Sequence, residues 1–413
     1  MSLTAAATLS VKTTTLPESP NLLGSLDPFA PLAWIRGGDG FAGIGEALRL
    51  EFSGPSRFVD ACETWRSIAD LAQVDDSIKV PGSGLVAFGT FAFSDSSAAT
   101  SVLIVPRILI GRRNGRSWLT TVAVEGDHPR RSVPAVRKSG DEYRIVLTKG
   151  RVNEASYEAS VAAAVARIRN GDLGKVVLAR DINGHLPPFS DQRLILSTLA
   201  NGYPDCWTFA VDGFVGASPE TLVTVSNGTV TARVLAGSTG RGTDAQTDKA
   251  AAADLFASPK DRKEHEFAVR DVLTALAKHT SELSTTENPF TLKLPNVWHL
   301  ASDIEGKLSD GSTSLNLIAA LHPTAAVAGT PTSVALELIE QLEPFDRGRY
   351  AGPVGWVGAD GDGEWAIGLR SAQIDPNGDV TAFAGAGIVA DSDPAHEFAE
   401  TRMKFRPIID AFG

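Results

Sequence analysis

Pro353-Val354-Gly355-Trp356-Val357-Gly358-Ala359, then Asp360-Gly361-Asp362-Gly363, then Glu364-Trp365-Ala366-Ile367 is the stretch on which the fold turns. Two short apolar runs flank a segment rich in Asp and Gly, the signature of a hairpin. The pattern recurs at once: Glu364 to Ile374 reads as a strand, Pro376-Asn377-Gly378-Asp379 as a turn, and Val380 to Ala384 as a further strand. Earlier in the chain, Arg107 to Gly111 and Trp118 to Val122 flank Arg113-Asn114-Gly115 in the same way. Gly84 to Phe91 and Ser101 to Pro106 add short apolar runs. Hairpins outnumber strand–helix–strand alternation, so the sheets are expected to be largely antiparallel and the fold class is α+β.

Helices interrupt this pattern. Arg57 to Ala72, Glu154 to Asn170, Asp261 to Lys278, Ser314 to Leu321, Ser333 to Leu342 and Asp393 to Phe412 carry helical periodicity or capping signals. Between them, Lys175 to Ile182 reads as a buried strand and Trp298 to Lys307 as another.

The composition bounds what the chain can do. Its 413 residues are 43% hydrophobic and 21% charged, ordinary for a globular protein with an ample core. With 38 Lys and Arg against 49 Asp and Glu, the net charge is −11. Such a chain is a poor partner for nucleic acid or an anionic membrane, and an anionic substrate would need a local group of cations or a metal. The two cysteines, Cys62 and Cys206, lack metal-ligand or disulfide-framework spacing. There is no run of roughly 18 apolar residues to cross a membrane. Met1 to Pro20 lacks the basic and apolar regions of a signal peptide and reads as a flexible tail. A reduced, cytoplasmic protein is expected.

Two helices carry acidic residues three apart: Asp261 with Glu264, and Glu397 with Glu400. Residues i and i+3 share a helix face. Two such faces opposed would suit a hard cation such as Mg²⁺, although on spacing alone solvated acidic faces are the commoner outcome. Lys175 opens an apolar strand, as a desolvated base or as a solvent-facing strand start. Glu220, in Gly216-Ala217-Ser218-Pro219-Glu220, reads as a general acid or a turn carboxylate. His299 and His322 read as ligands, acid–base groups or core histidines. Gly237 to Gly242 lacks the Lys-Ser/Thr ending of a phosphate loop and is expected to be mobile. Gly385-Ala386-Gly387 could offer backbone N–H groups to an anion, or form a tight turn.

Taken in order, these segments resemble the chorismate-utilising enzyme family, which includes isochorismate synthase, salicylate synthase, anthranilate synthase component I and aminodeoxychorismate synthase component I. The resemblance covers about residues 150–413. It runs through Lys175 to Arg180, Gly216 to Glu220, Leu235 to Ser238, Lys260 to His265, Trp298 to Leu300, Leu321 to Thr324 and Glu343 to Arg347. It continues through Gly363 to Trp365, Ala384 to Val389 and Glu397 to Lys404. It implies one large chorismate-binding domain over 21–413, with large antiparallel sheets packed as a β-sandwich, helices outside, and the catalytic motifs within 150–413.

The resemblance also implies roles. Glu264 and Glu400 look like Mg²⁺ ligands, with Asp261 and Glu397 supporting them through water. Tyr350, Arg370, Lys404 and the backbone at Gly385 and Gly387 look like contacts to the substrate's carboxylates. Lys175 looks like the base that activates water, and Glu220 like the acid for the departing 4-hydroxyl. His299 looks like a wall residue near the ring, and Gly237, Ser238 and Ala326 are further substrate-side positions. Lys175 stands where the amine-transferring members carry Gln, which favours the water-adding branch. Ala326 stands where salicylate synthases carry Thr, so the pattern is that of isochorismate synthase, an isomerase. A salicylate synthase and a catalytically silent chorismate-binding subunit are the alternatives. The chain departs from the family at Ala325, in place of a common proline, and at Ser238-Thr239-Gly240-Arg241, which lacks the usual Arg-Pro. No obligate protein partner is expected, and a monomer suffices. Menaquinone and catecholate siderophore pathways are both open.

Overall fold

The computed structural model describes residues 8–124, 138–294 and 297–413. Its strands join into a hydrogen-bonded network that divides at one place. Strand Asp39–Phe52 pairs along its length with strand Ser101–Arg113, with an irregularity between Glu46 and Leu48. Beyond this bend the two halves of Ser101–Arg113 take different second partners. Ile108 to Arg113 pair with strand Arg116–Val124, whereas Val102 to Ile104 pair with strand Val86–Thr90.

One sheet therefore runs from Asp39–Phe52 through Leu32–Arg36, Trp207–Val211, Phe214–Ser218, Ser371–Ile374 and Asp379–Ile388 to Lys175–His185. The other runs from Val86–Thr90 through Pro353–Gly358, Gly363–Ile367, Thr221–Ser226 and Thr229–Gly240 to Val297–Leu308. Among the described residues the one parallel pairing is between Leu9–Thr15 and Gln73–Asp76.

Inward-facing side chains alternate along these strands and close the two sheets over a shared aromatic core. Trp34 and Phe209 come from the first sheet, and Phe88 and Trp356 from the second, all fully buried. The Glu364 carboxylate lies among them. It accepts hydrogen bonds from Trp34 Nε1 at 3.1 Å, Trp356 Nε1 at 3.0 Å and Arg113 at 2.9 Å. A buried carboxylate is tolerable only when paired and hydrogen-bonded in this way. Helix Pro259–Leu276 lies against Thr229–Gly240, and helix Pro394–Phe412 against Asp379–Ile388. The expected α+β class, antiparallel sheets and outer helices are all present.

Several expectations need correction. Within the expected tail, Leu9–Thr15 is a strand paired with Arg116–Val124, and Leu9 and Val11 are buried; residues 1–7 lie outside the described residues. The segment expected to be a mobile loop is mostly sheet, because Thr229–Gly240 continues through Gly237. Arg241 then anchors its end, donating to Asp248 at 2.7 Å. Gly385 and Gly387 lie inside strand Asp379–Ile388, not in a turn after it. The expected strand Glu364–Ile374 is broken by Arg370, whose φ of +48° lies in the left-handed region. Helices Arg193–Gly202 and Ala245–Ala257 had no counterpart in the sequence reading.

Candidate active site

The ends of both sheets and the two acidic helices surround a cavity of about 250 Å³. Of the candidates named from the sequence, Lys175, Glu220, Gly237, Ser238, Asp261, Glu264, His299, Ala326, Tyr350, Arg370, Gly385, Gly387, Glu397, Glu400 and Lys404 line it, whereas His322 lies away from it, packed between Phe58 and Phe93 with its Nε2 2.9 Å from the Phe93 carbonyl.

Lys175 is the first residue of its strand and is buried. Its Nζ is 2.8 Å from Glu264 Oε1, on the helix opposite. Gly387, on the neighbouring strand, makes the room: a Cβ there would lie 3.0 Å from Lys175 Cε and 3.2 Å from Glu264 Oε1. A second pair mirrors the first. Lys404 Nζ is 2.6 Å from Glu400 Oε1, one helical turn away, and donates to the Gly385 carbonyl at 2.8 Å. Gly385 is exposed to this contact because strand Ser371–Ile374 pairs with Asp379–Ile388 only as far as Phe383.

Glu220 follows Pro219 at the end of strand Phe214–Ser218 and is 7% exposed. Burial pushes its carboxyl up to about 7, against the pull of Lys175, Lys404 and Arg370. His299 is moved the other way. Burial, helped by Arg370 and Lys404, brings it down to about 3, so the ring is neutral near pH 7. Its Nε2 is buried with no hydrogen-bond partner. The strand bulge between Leu235 and Ser238 brings Gly237 against the acidic helix. A Cβ at Gly237 would lie 3.1 Å from Asp261 Cβ, and its φ is +80°. Tyr350 is buried, stacks on Phe383 at 5.4 Å between ring centroids, and hydrogen-bonds with the Gly385 backbone. Burial pushes its hydroxyl up to about 12.

The four acidic candidates are not equivalent. Glu397 and Glu400 lie together, and their carboxylate oxygens and a ring nitrogen of His396 fall within 4.8 Å of one another. Asp261 and Glu264 face the same cavity from the other helix but stand outside this cluster. Asp261 is partly engaged, since its carboxylate accepts a short hydrogen bond from the Ser258 hydroxyl that caps the helix. Burial and the charge of Glu400 raise Glu397, with Ser392 opposing through a hydrogen bond. For Glu400, burial is outweighed by Lys404, and the carboxyl is held below its ordinary value. The donor set suits a hard divalent cation: carboxylate oxygens face the cavity, and Glu264 and Glu400 are each within 2.8 Å of a lysine nitrogen. His396 escaped the sequence reading; its i, i+4 spacing to Glu400 was the available signal.

Comparison with known proteins places these features in context. Residues 36–413 match the family described as chorismate binding enzyme. The chain is 41% identical over 269 residues to isochorismate synthase DhbC of Bacillus subtilis, covering 62% of this chain and 67% of that protein. It is 40% identical over 262 residues to the salicylate biosynthesis isochorismate synthase of Pseudomonas aeruginosa, covering 62% of this chain. That match spans about half, 54%, of the Pseudomonas protein. Among solved structures, the menaquinone-specific isochorismate synthase MenF of Escherichia coli superposes with a TM-score of 0.80 at 25% identity, covering 99% of this chain and 96% of that one. No helix among the described residues is long and apolar enough to cross a membrane.

Proposed function

Because the chain belongs to the chorismate-binding enzyme family, we propose that it is an isochorismate synthase in which Lys175 is the base and Glu220 the acid. The observation that carries this reading is that a buried lysine and a buried carboxyl group raised to about 7 line one cavity. Water's oxygen bonds to C2 of the ring while Lys175 takes its proton. The ring double bonds shift, the C4–O bond breaks, and the 4-hydroxyl leaves as water with the proton of Glu220. Arg370, Lys404 and Tyr350 hold the carboxylates of the dianionic substrate. Glu264 and Glu400 would hold Mg²⁺, with Asp261 and Glu397 outside them, and the metal would offset the charge of the ring carboxylate. The test is turnover of chorismate with and without Mg²⁺, with the product identified. Absence of isochorismate would overturn the reading and favour a silent binding subunit.

The carboxylates should differ in weight. Glu264→Gln and Glu400→Gln are expected to raise the half-saturating Mg²⁺ concentration more than Asp261→Asn does. A lost supporting contact costs roughly 10–100-fold, and Asp261 already serves the helix cap. Equal effects at all three positions would show that the carboxylates are ordinary surface charges.

Ala326 bears on the salicylate synthase alternative. It lines the cavity as a small, half-buried side chain. Pyruvate elimination needs the enolpyruvyl chain folded over the ring, and Ala leaves the substrate free of that pose. Ala326→Thr is expected to raise the pyruvate fraction, since small displacements of reacting groups change rates by about 10²-fold. Abundant salicylate from the unaltered protein near neutral pH would instead make it a salicylate synthase.

A further inference from the structure

Glu343-Pro344-Phe345-Asp346-Arg347 has no part in the acid–base scheme, yet Arg347 reaches the cavity wall. Glu343 and Arg347 form an ion pair whose side chains are each 3% exposed, with Arg347 Nη2 2.6 Å from Glu343 Oε1. The pair is joined to backbone on two sides. Arg347 donates to the Val177 carbonyl at 2.8 Å and the Val327 carbonyl at 3.0 Å. Glu343 accepts the Ala179 N–H at 2.7 Å.

These contacts fall where a sheet ladder stops. The strand that begins at Lys175 pairs with a short partner: Lys175 faces Thr330, Val176 faces Gly329, and the Val177 N–H donates to the Ala328 carbonyl. Beyond that point the partner chain turns away toward Ala326. The Val177 carbonyl and the Ala179 N–H would then be left without backbone partners in a buried place. The ion pair takes both, so two side chains continue the ladder. In the same act Arg347 ties down Val327, next to Ala326. Lys175 and Val177 are two residues apart on one strand, so their side chains share a face, and both line the cavity.

We propose that Glu343 and Arg347 are positioning residues that fix the strand carrying Lys175 against the wall formed by Ala326 and Val327, and so set both the rate of water addition and the choice against pyruvate loss. The proposal rests on the isochorismate synthase reading above. Its substrate-independent content is that one ion pair holds base and wall in register. An Arg fork can serve these acceptors together, and a Lys cannot.

The test separates positioning from stability. Arg347→Met, Arg347→Lys, Glu343→Gln and the double variant Glu343→Leu/Arg347→Met are titrated with chorismate by calorimetry, and kcat is measured on the same samples. The binding stoichiometry counts competent molecules, so kcat can be stated per competent site. Replacing a whole buried ion pair by apolar side chains is often neutral for folding, so the double variant should fold even where Arg347→Met does not. The expected result is a fall in kcat per competent site of about 10²-fold in the double variant, with chorismate affinity within about threefold of the unaltered protein. The pyruvate-to-isochorismate ratio should rise, and Arg347→Lys should recover little. Unchanged kcat per site and an unchanged product ratio in the double variant would reduce the pair to a structural element and overturn the proposal. Failure of the unaltered protein to form isochorismate would strike the parent reading instead.

Discussion

Replacing Glu220 by Gln is expected to stop the isomerisation in both directions while making the protein more stable above neutral pH. Gln fills the same space but carries no transferable proton, and a positioned acid is typically worth about 10²–10⁴ in rate. Water enters at one carbon and leaves from another, so the reverse reaction uses Glu220 as the base. Both directions must therefore be lost together, and retained conversion of isochorismate to chorismate would assign the acid to another group. In the unaltered enzyme the forward rate should decline as pH rises through about 7, where Glu220 loses its proton. The stability effect follows from the same burial. Unfolded, the carboxyl ionises near 4.5; folded, it holds its proton to about 7. Between these values the unfolded chain releases a proton that the folded protein retains. Stability therefore falls as pH rises from about 4.5 to 7, by roughly 3 kcal/mol in all. Gln has no such proton to release. The melting temperature of Glu220→Gln should exceed that of the unaltered protein at pH 8, and the difference should shrink toward pH 5. A difference independent of pH would show that burial of this carboxyl is not the cause.

Lys175→Ala should be nearly as damaging, lowering the rate by about 10²–10⁴ while chorismate still binds. The substrate's carboxylates would meet Arg370, Lys404 and Tyr350, which remain in this variant. The ion pair between Lys175 and Glu264 at 2.8 Å adds a second consequence. Without the lysine, Glu264 is released from this contact, so the half-saturating Mg²⁺ concentration should fall in Lys175→Ala even as turnover is lost. Turnover close to that of the unaltered enzyme would exclude Lys175 as the base. A half-saturating concentration that rises would mean Glu264 does not face the metal.

Local patterning made much of the fold legible. Asp-Gly and Asn-Gly turns located hairpins, and Asp393, followed by proline, marked the start of one acidic helix, whereas the other begins at Pro259 behind its Ser258 cap, two residues before the expected Asp261. Contacts between distant segments were not legible. Nothing in Leu32–Arg36 identifies Trp207–Val211 as its neighbour. Gly385 and Gly387 read locally as a turn, yet they sit in a strand because the facing chain needs their bare backbone at the cavity. The strand Leu9–Thr15 alternates buried and exposed, but its polar Thr13, bonded to Thr120 at 2.8 Å, hides the pattern. The candidate site was legible only as an ordered set of motifs resembling a family. Its members come from separate elements between Lys175 and Lys404, and no local rule joins them. The pairing of Lys175 with Glu264 could be seen only once the chain was folded.

The joining of the two sheets has a kinetic consequence. Strand Val86–Thr90 pairs with Pro353–Gly358, and strand Leu32–Arg36 with Trp207–Val211. During synthesis the early strands must wait, edges unpaired, for partners made well over a hundred residues later. Non-local pairing of this kind slows folding and leaves strand edges open to wrong association. The chain should therefore refold slowly and aggregate readily when diluted from denaturant at high concentration. A fragment starting near residue 150, although it contains all the candidate site residues, would carry Pro353–Gly358 and Trp207–Val211 without the strands that cover them.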